Sequence, residues 1–380
     1  MKILLVSTQD YIHHPIPSRH HNIFEELATR HEVHVPHFHV SRGKERQTRL
    51  HVHEATRFAV ASPFLHYTLN APCHYRVIRN IIRDYDIDVV VGAHVLAGTA
   101  MVRAAKKFDV PVVFDLKDWF PDSAAAYYKN PAMRWLLREG VLAITRYNLD
   151  HSDVVTTVSP GLVAKLKGYG YDAELITNGV NTDLFRPMDG GAMRQALGIA
   201  PDAFVLGFAG AVERWYALDD VIRAFPKILA QHENAELLIV GGSLFTGYLD
   251  ELRALAEQLG VSRQVHFTGA VDYRDLPGYV APMDLCLIPL SPPQWVDIAL
   301  PNKYFEYSAC GKPILSTPIP DMLRMGGDHI AVYRSMEEFV GKVDESVRNP
   351  VRCSIGIEEH SWKKKAEAFE KIFERLTGKR

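Results

Sequence analysis

Ten short apolar runs of six to eight residues recur along the chain, and segments of helical periodicity separate most of them. In the first half they are KILLVS (2–7), EVHVPHF (32–38), IDVVVGAH (87–94), VPVVFDL (110–116) and DVVTTVS (153–159). In the second half they are FVLGFAG (204–210), AELLIVGG (235–242), QVHFTGA (264–270), DLCLIPL (284–290) and KPILST (312–317). Runs this apolar and this short read as strands buried on both faces, the signature of parallel sheets covered by helices. Between them lie amphipathic segments such as RHHNIFEELATR (19–30), YRVIRNIIRDY (75–85), ALDDVIRAFPKILAQ (217–231) and LDELRALAEQLG (249–260). The same strand–helix order is written twice, on either side of NGVNTDLFRPMDGG (178–191), a stretch of turn formers without periodicity. The pattern predicts an α/β protein with two doubly wound, Rossmann-like domains, residues 1–187 and 188–360. A closing amphipathic helix, WKKKAEAFEKIFERL, falls within 361–380 and is expected to cross back to the first domain. Ligands of such folds sit beyond the carboxyl ends of the strands, so the expectation is a cleft that both domains face.

Bulk properties narrow the function. A net charge of −2 gives no global attraction to nucleic acid. The apolar runs are far shorter than the ~18–20 residues of a membrane span. The start, MKILLVSTQD, turns polar too soon for a secretory signal. The four cysteines, Cys73, Cys286, Cys310 and Cys353, lie far apart without metal or disulfide spacing, which suits a reducing cytoplasm. Of 18 histidines, 13 fall in the first 94 residues, and HHPIPSRHH with HEVHVPHFHV invites a metal reading. Alternating histidines also arise on the outward face of a half-exposed strand, and no metal site is expected from them.

The densest chemistry lies in ALPNKYFEYSACGKPILSTP (299–318). Pro301 suits the first turn of a helix, where its missing N–H costs nothing. That helix start offers free N–H groups and a positive dipole end to an anion. Lys303 adds a full charge, and Glu306, three residues on, shares its face. Cation and carboxylate together match a nucleoside diphosphate, with lysine on phosphate and glutamate on the ribose diol. An i,i+3 surface ion pair between the two explains the same spacing.

Four stretches in order make the chain resemble the GT-B glycosyltransferases, in particular the retaining family-4 (group 1) enzymes. They are VPVVFDLKDWFPDS (110–123), DVVTTVSPGLVAKL through LITNGVNTDLFRP (153–187), LGFAGAVERW (206–215) and PNKYFEYSACGKPILST (301–317). The resemblance covers nearly the whole chain. It implies an enzyme of hexosyltransferase type that moves a sugar from a nucleoside diphosphate sugar to a hydroxyl of a glycan or lipid-linked acceptor, with retention, in envelope or polysaccharide biosynthesis. It implies no cofactor and no metal, and no D-x-D stands in a suitable place. On the donor side it points to Gly210, Ala299, Leu300, Asn302, Lys303 and Glu306, and Arg214 is the nearest cation to the usual Lys-Gly position. On the acceptor side it points to Ser18, Arg19, His94 and Asp118, with Asp115 as a brace. Arg214 and Lys303 are expected to neutralise the leaving diphosphate together.

The chain departs from that family at three places. The first of two family glutamates is replaced by Ile298, with Asp297 adjacent but out of step. Tyr216 and Ala217 stand where Lys-Gly is usual, and Pro17-Ser18-Arg19 replaces a Gly-Gly. Two other readings stay open: a nucleotide-sugar epimerase on the same fold, which would need a different set of cleft carboxylates, and a catalytically degenerate binding partner of a transferase, which the missing glutamate and Lys-Gly keep alive. Finally, residues 42–83 mix Arg42, Lys44, Arg46, Arg49, Arg57, Arg76, Arg79 and Arg83 with Phe58, Phe64, Leu65, Tyr67, Leu69 and Tyr75. That composition suits docking on the anionic inner face of a cell membrane, or simply a solvated basic face over core.

Overall fold

The structure, a computed structural model, describes all residues except 8–9, 15–16, 42, 61, 127–129, 244–245, 292–295, 352–355 and 380, and the side chains of Ala126 and Val296. Arg42 and Cys353 therefore lie outside the described residues. The chain divides into two compact units, Met1–Thr177 with Trp362–Arg380, and Asn178–Ser361. The division falls at Thr177/Asn178, ten residues before the expected 187/188. Residues 178–187 join the second unit because Val180 pairs with Ser361 and Phe185 is buried in that unit's core.

The first unit holds strands β1 (Lys2–Val6), β2 (Glu32–His37), β3 (His51–Glu54), β4 (Val89–Gly92), β5 (Val112–Leu116), β6 (Val154–Thr157) and β7 (Glu174–Leu175). They form one sheet in the order β3-β2-β1-β4-β5-β6-β7, every pairing parallel. Leu4 faces His34 on one side and Val90 on the other. The strand order reverses between β1 and β4, so the loops after these two strands diverge there. The helix Trp362–Thr377 packs on the helix Arg19–Leu27 and buries Trp362, Phe369 and Phe373 in this unit's core.

β2 corrects one expectation. His34 and His37 are buried, not outward-facing. The short strand β3 lies beside β2 and takes away its edge. His34 stacks between His51, His53 and Tyr85, and His37 bonds to Glu54.

The second unit holds β8 (Phe204–Ala209), β9 (Ala235–Val240), β10 (Val265–Gly269), β11 (Leu285–Ile288), β12 (Ile314–Ser316) and β13 (Ile330–Val332). Their order is β10-β9-β8-β11-β12-β13, again all parallel. The order reverses between β8 and β11, and the segment after β8 crosses that point. Ala217 N donates to Pro289 O at 2.8 Å and Ser291 N to Trp215 O at 2.7 Å. Gly210 has φ +139 and Gly241 φ +133, values open to glycine alone. A Cβ on Gly241 would lie 1.9 Å from the Gly210 carbonyl oxygen, so the ends of β8 and β9 come this close only with a glycine at 241. Among the described residues no helix is long and apolar enough to cross a membrane.

Candidate active site

In the second unit the helix Asn302–Ala309 begins next to the end of β8. Pro301 is its N-cap, with extended backbone (ψ 141), rather than its first helical residue, and no side chain caps the helix. The Lys303 side chain is buried to 9% exposure, and its Nζ donates to Tyr216 Oη at 3.1 Å. The ammonium also lies 4.3 Å from the Tyr216 ring centroid and 5.0 Å from that of Phe208. Gly210 makes this placement possible, since a Cβ there would lie 2.4 Å from Nζ. Among the described residues no carboxylate lies within ion-pair distance of Lys303, so the surface ion pair with Glu306 does not form.

Glu306 is as buried as Lys303, and its Oε1 accepts from Tyr273 Oη at 3.3 Å. Burial pushes its carboxyl above the usual carboxylate range, with Lys303 and Tyr273 acting against that shift. Leu300 is buried, and its carbonyl accepts from Asn178 Nδ2 at 3.3 Å, which fixes the backbone leading into the helix. Ala299 and Asn302 flank it on the same segment. This cluster offers one cation, one carboxylate and an uncapped helix start on a glycine-lined strand end, a set suited to an anion beside a diol.

Arg214 does not belong to it. Its guanidinium is 60% exposed, is paired with Glu251 and stacks over Tyr248 at 5.0 Å. The expected joint clamp with Lys303 is therefore not assembled. Tyr216 stands beside the lysine instead, a partner that spacing alone could not reveal.

The first unit carries a second cluster. Asp115 is fully buried at the end of β5, and it accepts from Arg19 Nε at 3.0 Å, His20 Nε2 at 2.9 Å and Thr156 Oγ1 at 2.8 Å. Burial alone would raise Asp115, but Arg19 and His20 hold its carboxyl well below the usual range. Arg19 also donates to Thr177 O at 2.7 Å and lies over Phe369. It is a buried strut, not the ligand-reaching arginine expected from its loop. Ser18 is likewise turned inward, its backbone N and Oγ each 2.9 Å from His21 Nδ1 at the helix start.

His94 caps the helix Val95–Lys107 by accepting from Ala97 N at 3.0 Å on Nδ1, and its ring lies 3.8 Å from that of Tyr67. Burial drops its pKa to about 3, so the ring is neutral and the proton sits on Nε2. His94 is thus built to donate a hydrogen bond, not to act as a base. Asp118 accepts from Trp119 N at 2.7 Å and Ser123 Oγ at 2.9 Å, and burial raises its pKa. Lys117, which sequence reasoning passed over, lies between the two aspartates, and burial lowers its pKa to about 8.

Two family profiles match this chain, one described as Glycosyltransferase Family 4 over residues 19–184 and one as Glycosyl transferases group 1 over 203–349. Between them they take in most of both units. The chain belongs to the GT-B glycosyltransferases. Curated relatives agree. The D-inositol 3-phosphate glycosyltransferase of Corynebacterium jeikeium is 29% identical over 238 residues, 54% of this chain and 54% of the relative. The enzyme named D-inositol 3-phosphate glycosyltransferase 2 in Catenulispora acidiphila is 31% identical over 173 residues, 43% of this chain and 38% of the relative. The chain spans about half the length of the curated relatives it matches. In fold it is similar to sucrose-phosphate synthase from Thermosynechococcus elongatus, with TM-score 0.80, 17% identity and full coverage of both chains. It is also similar to HepE of Anabaena in complex with UDP, with TM-score 0.70, 18% identity and coverage of 99% and 96%. In this chain the two departures in the second unit now have surroundings. Tyr216 packs against Lys303, and Ile298 ends a short 3-10 turn, Val296–Ile298, just before the helix.

Proposed function

We propose that the chain transfers a sugar from a nucleoside diphosphate sugar to an acceptor hydroxyl, with retention at the anomeric carbon. One observation carries this reading: Lys303 is a buried cation with no carboxylate within ion-pair distance among the described residues, three residues from the buried carboxylate of Glu306 at an uncapped helix start. In the transfer, the bond from the anomeric carbon to the diphosphate oxygen breaks and a bond to the acceptor oxygen forms. The acceptor proton passes to the departing phosphate on the same face. Lys303 and the helix N–H groups stabilise the charge that grows on the diphosphate, while Glu306 accepts from the ribose hydroxyls. The first unit selects the acceptor, a glycan or lipid-linked glycan. His94 Nε2–H donates to it, and the remaining lone pairs of Asp118 accept its hydroxyl. A uridine nucleotide is the first donor to test, since a protein of the same fold was crystallised with UDP-glucose. The catalytic set proposed needs no metal at the donor.

A thermal-shift screen over nucleoside mono- and diphosphates, followed by transfer assays with the donor of the selected base, tests the reading. Selective stabilisation by one diphosphate with product of retained configuration is the expected result. Donor conversion to its epimer without acceptor would make the chain an epimerase, and binding without turnover on any acceptor would make it a partner protein.

A peripheral location at an anionic membrane fits the same reading. Phe58, Phe64, Leu65 and Leu69 are exposed, as are Arg57, which lies over Phe58, and Arg76, whereas Tyr67 is buried and takes no part. Co-sedimentation with anionic vesicles at low salt, lost on neutral vesicles, is expected; equal recovery in both supernatants would reject it.

A further inference from the structure

The first unit gathers three metal-ligating atoms at the end of β2. Asp10 Oδ1 lies 3.2 Å from His37 Nε2 and 3.6 Å from His13 Nδ1, and the two imidazole nitrogens face each other at 3.2 Å. Ligands of a tetrahedral zinc ion, held at about 2.0–2.2 Å, are separated by roughly 3.3–3.6 Å. A point equidistant from the three atoms of this triangle lies ~1.9 Å from each, so an ion just outside their plane reaches zinc distances without moving them.

The surroundings of each ligand fit the same centre. His37 Nδ1 is 3.1 Å from Glu54 Oε2 at the end of β3. A carboxylate on the far nitrogen is the arrangement that fixes the tautomer of a metal-bound histidine and aims the other nitrogen at the ion. Asp10 is held by four backbone donors. Oδ1 accepts from Ile12 N at 3.1 Å and His13 N at 2.9 Å, and Oδ2 accepts from Val40 N and Ser41 N, both at 3.0 Å. The carboxylate therefore cannot swing away, and Asp10 and His37 are buried while His13 is partly open. The ring of exposed His39 stacks on His13 at 4.7 Å and on His37 at 5.2 Å, beside the open side.

We infer that Asp10, His13 and His37 bind one divalent transition ion of the zinc class. Two imidazoles and one carboxylate favour that class over magnesium or calcium, which take oxygen ligands. Three protein ligands leave a fourth position, open to water. The ion ties the segment after β1 to the ends of β2 and β3, so its role is in the first unit's architecture and is independent of the donor reading.

The test uses the full chain, purified without a polyhistidine tag, stripped with a chelator and titrated with zinc against a chromogenic competitor. One zinc per chain is expected, bound at least tenfold more weakly in His13→Ala, whose partly open position lets it fold, and in Asp10→Asn. Cobalt in place of zinc is expected to give intense visible bands of a four-coordinate site in the parent, which needs no variant. Zinc affinity unchanged in both variants would move the site elsewhere and overturn the assignment. So would the absence of stoichiometric binding, with nitrogen shifts of His37 showing an imidazolium.

Discussion

At the scale of single residues, Lys303 poses a conflict between fold and function. Among the described residues no carboxylate lies within ion-pair distance of this buried ammonium, so its burial costs stability that an anion would restore. Lys303→Met keeps the volume and removes the charge, so the variant is expected to unfold at a higher temperature without ligand. Its kcat should fall by about 10- to 100-fold, the size of one charge-assisted contact. Calorimetry and initial rates on one preparation check both, and a variant less stable than the parent would show that the Tyr216 hydrogen bond and the two aromatic faces outweigh the cost of burying the charge. Lys117 gives a pH test. Burial lowers its pKa to about 8, below its value in the unfolded chain, so between pH 8 and about 10 the unfolded state binds more protons. The destabilising effect of its charge is fully present below pH 8 and fades as pH rises through that window. Lys117→Met is expected to be more stable than the parent by about 2 kcal/mol at pH 7, with the gap closing by pH 10 in denaturant titrations. Spacing pointed to Lys303 and Glu306 because both sit in one helical turn. Arg19 was misread because its partner, Asp115, lies 96 residues away, and nothing local announces a pairing across a sheet.

At the scale of elements, the strand ends do the positioning. Gly241 lets β8 and β9 finish in contact, and the space above Gly210 is where the Lys303 ammonium sits. Gly241→Ala would place a methyl group against the Gly210 carbonyl at a φ that alanine avoids. A loss of about 3–5 kcal/mol in the second unit is expected from urea titration, with nucleotide binding lost in parallel. Alanine tolerated within about 0.5 kcal/mol would mean that the strand ends can part freely. All ten apolar runs become strands, since burial on both faces leaves an unmistakable pattern. The three strands that escape notice, β3, β7 and β13, have two to four residues and lie toward the sheet edges, where the pattern is too short to register. The omission of β3 had a consequence for the site, because its Glu54 and the burial of β2 turn a supposed outward row of histidines into packed, bonded ones.

At the scale of the whole molecule, the two cores are separate and the first is built from both ends of the chain. Scanning calorimetry should resolve two transitions, and the selected nucleoside diphosphate should raise only that of the second unit. Deleting residues 362–380 strips Trp362, Phe369 and Phe373 from the first core and the ion pair of His31 with Glu370, so the first transition is expected to vanish while the second persists. Retention of both transitions would show the helix to be an ornament. The interrupted first unit also fixes a timetable during synthesis. Its last piece leaves the ribosome only after all of Asn178–Ser361, which at about 5–20 residues per second takes on the order of ten seconds or more. For that interval the nascent first unit shows an unfilled apolar groove along the helix Arg19–Leu27, while the contiguous second unit is free to mature. The half of the molecule translated first is the half that finishes folding last.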